Sequence, residues 1–167
     1  HEVTMALAGE MLALGGLSPT VVAGRARAEA VRADGRAAEV FGRMVAALGG
    51  PADFVEHAGR YLPVASVIRP CTAECSGHVV GMNAREVGIA VVALGGGRTH
   101  ADDAIDTSVG LTEVIDVGAA VRAGNPLCIV HAATDAAADE AIALVRQAIR
   151  IGDAAPADKP VIMDRVA

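Results

Sequence analysis

The sequence predicts a mixed chain of the α/β (α+β) class, with a run of helices over residues 1–63 followed by a small α/β domain over residues 64–167. Two textures predict it. Before Leu62-Pro63, apolar residues recur at helical spacing; after it, short apolar runs rich in valine and isoleucine lie between prolines and glycines, with helical patterns among them.

In the first part, Leu7, Met11 and Leu14 form an i, i+4, i+7 stripe that Gly15-Gly16 ends. Phe41, Met44, Val45 and Leu48 repeat the pattern before Gly49-Gly50. Pro51 is expected as a first helical residue, where its missing amide hydrogen costs nothing, opening a short helix through Phe54, Val55 and Ala58. These stripes need a surface to pack on that the helices do not themselves provide, which implies a partner region.

In the second part, Val64 to Ile68 and Gly77 to Met82 read as strands punctuated by Pro70 and Gly77. Asn83 is an N-cap with Glu86 three residues on, and Val87, Ala90, Val91 and Leu94 make one helical face ending at Gly95. Ser108 to Leu111, Ala120 to Arg122 and Leu127 to His131 read as strands, the last two joined by a turn at Ala123-Gly124-Asn125-Pro126. A final helix is expected from Thr134 or Asp135, with Asp139 and Glu140 early and Arg146 and Arg150 late as the macrodipole favours, stopping at Gly152. Asp153 to Pro160 is linker-like, and Val161 to Val166 is expected as a closing strand.

Composition excludes several function classes. The net charge of -6 and the three aromatic residues, Phe41, Phe54 and Tyr61, leave neither a basic footprint nor a stacking platform for nucleic acid. The longest apolar stretches, such as Ile89 to Leu94, are too short to cross a bilayer. Cys71, Cys75 and Cys128 form no disulfide-framework spacing, which suits a reducing compartment and a cytoplasmic protein. His1-Glu-Val-Thr carries neither an initiator methionine nor a secretory signal, so the chain is expected to begin inside a longer polypeptide.

The candidate site is Gly95, Gly96, Gly97 and Arg98, with His100, Asp102, Asp103 and Asp106 following. Three glycines can expose amides as an anion nest with Arg98 as phosphate partner. Phosphate loops, however, lead into a helix N-terminus, and this one leaves a C-terminus, where the dipole opposes an anion. A helix C-cap and tight turn, with an aspartate paired to Arg98, is the preferred reading. His100 and the three aspartates match no EF-hand or zinc spacing, so no metal is expected there. Cys71, Cys75 and His78 resemble part of a zinc site without a spaced fourth ligand, and small core cysteines are expected instead. No Gly-x-Ser-x-Gly elbow, HExxH, Walker A loop or strand-borne GxGxxG is present.

Val117 to Leu127 resembles the GxxVxxGxPL hairpin of biotinyl and lipoyl carrier domains. Those carriers need a lysine at a hairpin tip, and the single lysine, Lys159, is far from this segment. A swinging-arm role is thereby excluded unless the modification is not on lysine, and what remains is a barrel-sandwich scaffold, with a non-catalytic binding or structural module as the alternative function.

Taken in order, Val3-Thr-Met-Ala-Leu, Ala37-Ala-Glu-Val-Phe-Gly-Arg-Met-Val-Ala-Ala, Gly50-Pro-Ala-Asp-Phe-Val-Glu and Tyr61-Leu-Pro resemble the late helical part of the catalytic domain of bacterial thymidine phosphorylases. Gly77-His-Val-Val-Gly-Met, Gly88-Ile-Ala-Val-Val-Ala-Leu-Gly-Gly-Gly-Arg, Asp102-Asp-Ala-Ile-Asp-Thr-Ser-Val-Gly and Pro126-Leu-Cys-Ile-Val-His-Ala continue the resemblance through that family's C-terminal domain. It covers essentially the whole chain. The implied fold is the helical tail of a nucleoside phosphorylase catalytic α/β domain followed by a small α/β hammerhead or barrel-sandwich-like domain. The implied activity is phosphorolysis of thymidine to thymine and 2-deoxyribose 1-phosphate, by a homodimer, with no cofactor and no nucleic-acid or membrane partner. The family's glycine-rich signature and its phosphate- and base-contacting residues have no counterpart in these residues, so the resemblance places no catalytic residue here. It also implies, for some bacterial relatives, a potassium ion near the counterparts of residues 11 to 23. Ala23 stands where a glutamate ligand would be, so no ion is expected.

Overall fold

Small residues bring the first two helices together. In the computed structural model, which describes residues 1–157 and 159–166, α1 (Glu2–Leu14) packs on α2 (Val21–Ala33) with Gly9 and Gly24 at the crossing. A Cβ on Gly24 would stand 2.6 Å from the Gly9 carbonyl oxygen, so only glycine permits this approach. Thr20 caps α2 by accepting from the Ala23 amide at 3.1 Å. The helices α3 (Arg36–Ala47) and α4 (Phe54–Tyr61) follow, and neither buries a residue. Pro51 does not open α4; it begins a turn in which the Phe54 amide reaches the Pro51 carbonyl at 3.3 Å, and the helix starts only at Phe54.

By its internal contacts the chain divides into two units, His1–Tyr61 with Lys159–Ala167, and Leu62–Asp158. In the first unit, Met5 and Ala28 are the buried hydrophobic residues among those described, whereas Met11, Leu14 and Leu48 are 72%, 86% and 81% exposed. The closing strand expected at Val161 to Val166 is not formed. The segment runs in irregular conformation beside α1 and α2, with the Arg165 guanidinium on the Glu10 carboxylate at 2.5 and 3.0 Å. A run of β-branched residues makes a strand only where an edge accepts it, and this unit contains no strand among the described residues.

The second unit holds two three-stranded antiparallel sheets, ordered β1-β5-β3 and β4-β2-β6. Their strands are β1 (Val67–Thr72), β2 (Gly77–Met82), β3 (Gly110–Thr112), β4 (Ala120–Val121), β5 (Pro126–Ala132) and β6 (Ile149–Gly152). Two helices, α5 (Ala84–Val91) and α6 (Asp135–Ala148), complete it. The strand expected at Val64 to Ile68 begins later and runs through Pro70, which pairs with Ile129. Proline is tolerated there because β1 is an edge strand and its missing donor can face outward.

The final helix stops at Ala148 rather than Gly152. Ala148 gives its carbonyl to the Asn83 amide at 2.8 Å, and Ile149 to Gly152 leave the helix to pair with β2. Arg150 is therefore a strand residue opposite Gly81. The core unites both sheets and both helices through Cys71, Val79, Ala90, Cys128, Val130 and Val145.

Candidate functional site

The glycine triplet is positioned by the helix before it. Asn83 accepts from the Glu86 amide at 3.4 Å and starts α5 as the sequence predicts. After Val91 the helix widens into one π-helical turn, Val92–Gly96, within which the chain leaves helical conformation at Gly95, where the sequence ends the helix. Gly95 has φ +94, a left-handed conformation that glycine adopts without strain. A Cβ on Gly96 would lie 3.0 Å from Val91 Cγ1, and one on Gly97 would lie 2.7 Å from Val92 Cγ2. Turn conformation and close packing thus account for all three glycines.

The loop beyond is tied by its own aspartates. The Asp106 amide donates to the Gly95 carbonyl at 2.9 Å, joining the start of the loop to its end. Asp103 Oδ2 accepts from the Thr99 hydroxyl at 2.6 Å and from the Thr99 and His100 amides at 2.9 and 2.8 Å. Asp106 Oδ1 accepts from the Ser108 amide and hydroxyl at 2.8 and 2.6 Å. The Thr99 hydroxyl and the amides of His100 and Thr99 hold the Asp103 carboxyl below the usual carboxylate range, and the Ser108 hydroxyl and amide do the same for Asp106. The expected Arg98–aspartate pair is absent among the described residues, because neighbouring amides and hydroxyls take the carboxylates first. Arg98 is exposed, and among the described residues its guanidinium forms no ion pair. The loop therefore presents a guanidinium without an ion pair among the described residues on a braced backbone, an arrangement able to meet an anion, with the Thr99 hydroxyl against His100 Nδ1 at 3.0 Å beside it.

The other candidates separate. Cys71 lies in β1 of one sheet and His78 in β2 of the other, and Cys75 is exposed between them rather than in the core where it was expected. Cys71 and Cys128 are the buried pair, facing each other across β1 and β5. That juxtaposition was not foreseen, because it follows from strand register. Among the described residues, no group of three or more histidine, cysteine, aspartate or glutamate side chains is arranged to hold a metal ion.

Two arginines also gain roles that spacing did not reveal. Arg69 on β1 reaches Asp135 and Asp139 on α6, and Arg146 on α6 donates to the Thr72 carbonyl at 3.0 Å and pairs with Glu74 at 3.1 Å. Both fasten α6 to the edge strand.

The turn at 123–126 is not a hairpin tip, since β4 pairs with β2 and β5 with β1 and β3. Gly124, at φ +86, and Asn125, whose side chain accepts from the Arg122 amide at 3.0 Å, carry the chain from one sheet to the other. No described helix is long and apolar enough to cross a membrane. Residues 78–152 match the family model of the pyrimidine nucleoside phosphorylase C-terminal domain, a span running from the second residue of β2 to the end of β6 and including α5, the glycine triplet and α6.

Proposed function

We propose that the chain serves a thymidine phosphorylase as its C-terminal part, in a cytoplasmic homodimeric pentosyltransferase that converts thymidine and phosphate to thymine and 2-deoxyribose 1-phosphate. The observation that carries this reading is the family match over residues 78–152. The ordered resemblance of the remaining segments to the late helical part of the catalytic domain supports it.

In such a reaction the glycosidic bond breaks as the sugar gains positive charge, and rate comes from orienting phosphate and stabilising that charge. The braced loop of Gly95, Gly96, Gly97 and Arg98 is the part of this chain suited to closing over the substrates. Its contribution is a guanidinium held near the phosphate side and the exclusion of water. Binding of the base and activation of phosphate belong to residues outside this sequence, so the chain alone is inactive.

Two measurements test the reading. Incubating the 167-residue chain with thymidine and phosphate should release no thymine, and release at rates typical of the family would overturn the inactivity. In the intact phosphorylase, Arg98→Ala should raise KM for phosphate with little change in KM for thymidine. Unchanged phosphate kinetics would remove the loop from the cleft.

A further inference from the structure

The β1–β5 register sets Cys71 directly opposite Cys128. Opposed residues of an antiparallel pair have Cα atoms about 4.5–5.5 Å apart, within the roughly 4.4–6.8 Å that a disulfide spans. Both side chains are 0% exposed and belong to the same core, so they project from the same side of the sheet. The Cys71 thiol donates to the Ile142 carbonyl at 3.8 Å; the adjoining Cys128 thiol and then the Arg146 charge hold Cys71 below the ordinary thiol range, while the Cys71 neighbour and burial push Cys128 up. Cys75 is exposed and has no opposing cysteine in the register.

We infer that Cys71 and Cys128 form a reversible dithiol–disulfide pair that peroxide closes, cross-linking edge strand β1 to central strand β5. Cys71 sulfur attacks one peroxide oxygen, the O–O bond breaks, and the departing hydroxide takes up the thiol proton as water. Cys128 sulfur then attacks the Cys71 sulfenic acid, the S–O bond breaks, and the hydroxyl leaves with the Cys128 proton as a second water. Two thiols lose two electrons and two protons, and one peroxide becomes two waters. A small oxidant suits the site, because both sulfurs are reached only through brief local opening of the edge strand. A dithiol reductant reverses the bond by exchange.

The test uses the whole chain carrying Cys75→Ser, which removes the exposed thiol and leaves the core untouched. Treated with hydrogen peroxide under native conditions and then denatured, it should fall from two titratable thiols to none. Its intact mass should drop by two hydrogens once methionine oxidation is accounted for, and peptide mapping should join the Cys71 and Cys128 peptides. Dithiothreitol should restore both thiols, and the oxidised form should melt at higher temperature than the reduced form. Retention of both thiols while methionines oxidise would overturn the proposal, as would sulfinic acid at either cysteine or a bond between chains. In the unsubstituted chain, preferential joining of Cys75 to either core cysteine would also overturn it.

Discussion

The Asp106 amide and the Gly95 carbonyl meet at 2.9 Å, so the segment that leaves α5 is tied back to the helix end before it enters β3. Gly95 can offer its carbonyl in that direction because its φ is +94, and Asp106 is itself fixed by its bonds to Ser108. The loop that carries Arg98 is therefore shaped by backbone geometry at one end and a carboxylate turn at the other. A site built this way positions a charge and contributes little chemistry of its own.

Gly95→Ala should destabilise the second unit by about 1–2 kcal/mol, the cost of holding an alanine in a left-handed conformation. Gly88→Ala is its control, because Gly88 lies inside α5, where an added Cβ would meet nothing within 4 Å. That change should stabilise by about 0.5–1 kcal/mol through helix propensity. Urea unfolding of the two variants should give shifts of opposite sign, and equal shifts would deny the special role of Gly95.

Asp103 gives the loop a defined acid limit. Its folded value lies below its unfolded one, so its contribution is fully present above the ordinary carboxylate range and is lost as pH falls through the depressed folded value. At neutral pH, Asp103→Asn should speed hydrogen exchange at the Thr99 and His100 amides, whose bonds to the charged oxygen are weakened. As the wild-type chain is acidified through that range, its protection at the two amides, corrected for intrinsic rates, should converge on that of Asp103→Asn. Protection that stays unchanged down to strong acid would separate these amides from the carboxylate.

Features set by neighbours in sequence were legible, and those set by pairing were not. The Asn83 cap, the limits of β2 and the glycine stops after Leu14 and Leu48 are local signals, and the structure contains each. Pro70 looked like a boundary because its edge position depends on the order of strands. Ile149 to Gly152 continued a helical charge pattern in sequence, but β2 offers them an edge and β-branched Ile149 and Ile151 pair there. The same blindness to pairing hid the facing of Cys71 and Cys128 and merged β4 and β5 into one hairpin. At the candidate site, the helix end and turn at the glycines are local signals that the structure contains, whereas charge alone pairs Arg98 with an aspartate. Nearer amides and hydroxyls decided that competition.

The two-sheet core should respond to truncation far more than the first unit does. Val145 is 0% exposed, and Val145→Ala removes buried methyl groups and leaves a cavity, costing about 2 kcal/mol. Val40 is 56% exposed, and Val40→Ala should change stability by no more than about 0.5 kcal/mol. Chemical denaturation followed by far-ultraviolet circular dichroism reads both. A large effect at Val40 would mean that α3 is packed rather than open.

Exposure of the apolar stripe on α3 should instead appear as association. Val40, Met44 and Leu48 are 56%, 49% and 81% exposed, lie one helical turn apart and bury nothing, so in water they form an adhesive surface rather than part of a core. The isolated chain should bind a hydrophobic dye and show concentration-dependent light scattering. Replacing Val40 with Thr and both Met44 and Leu48 with Gln should lower dye fluorescence and scattering while leaving helix content and the melting of the two-sheet unit unchanged. The measurement separates surface from core, since a packed stripe would lose structure on the same substitutions and raise dye binding. A chain that is already monodisperse and dye-silent before substitution would contradict the expectation that this face drives association.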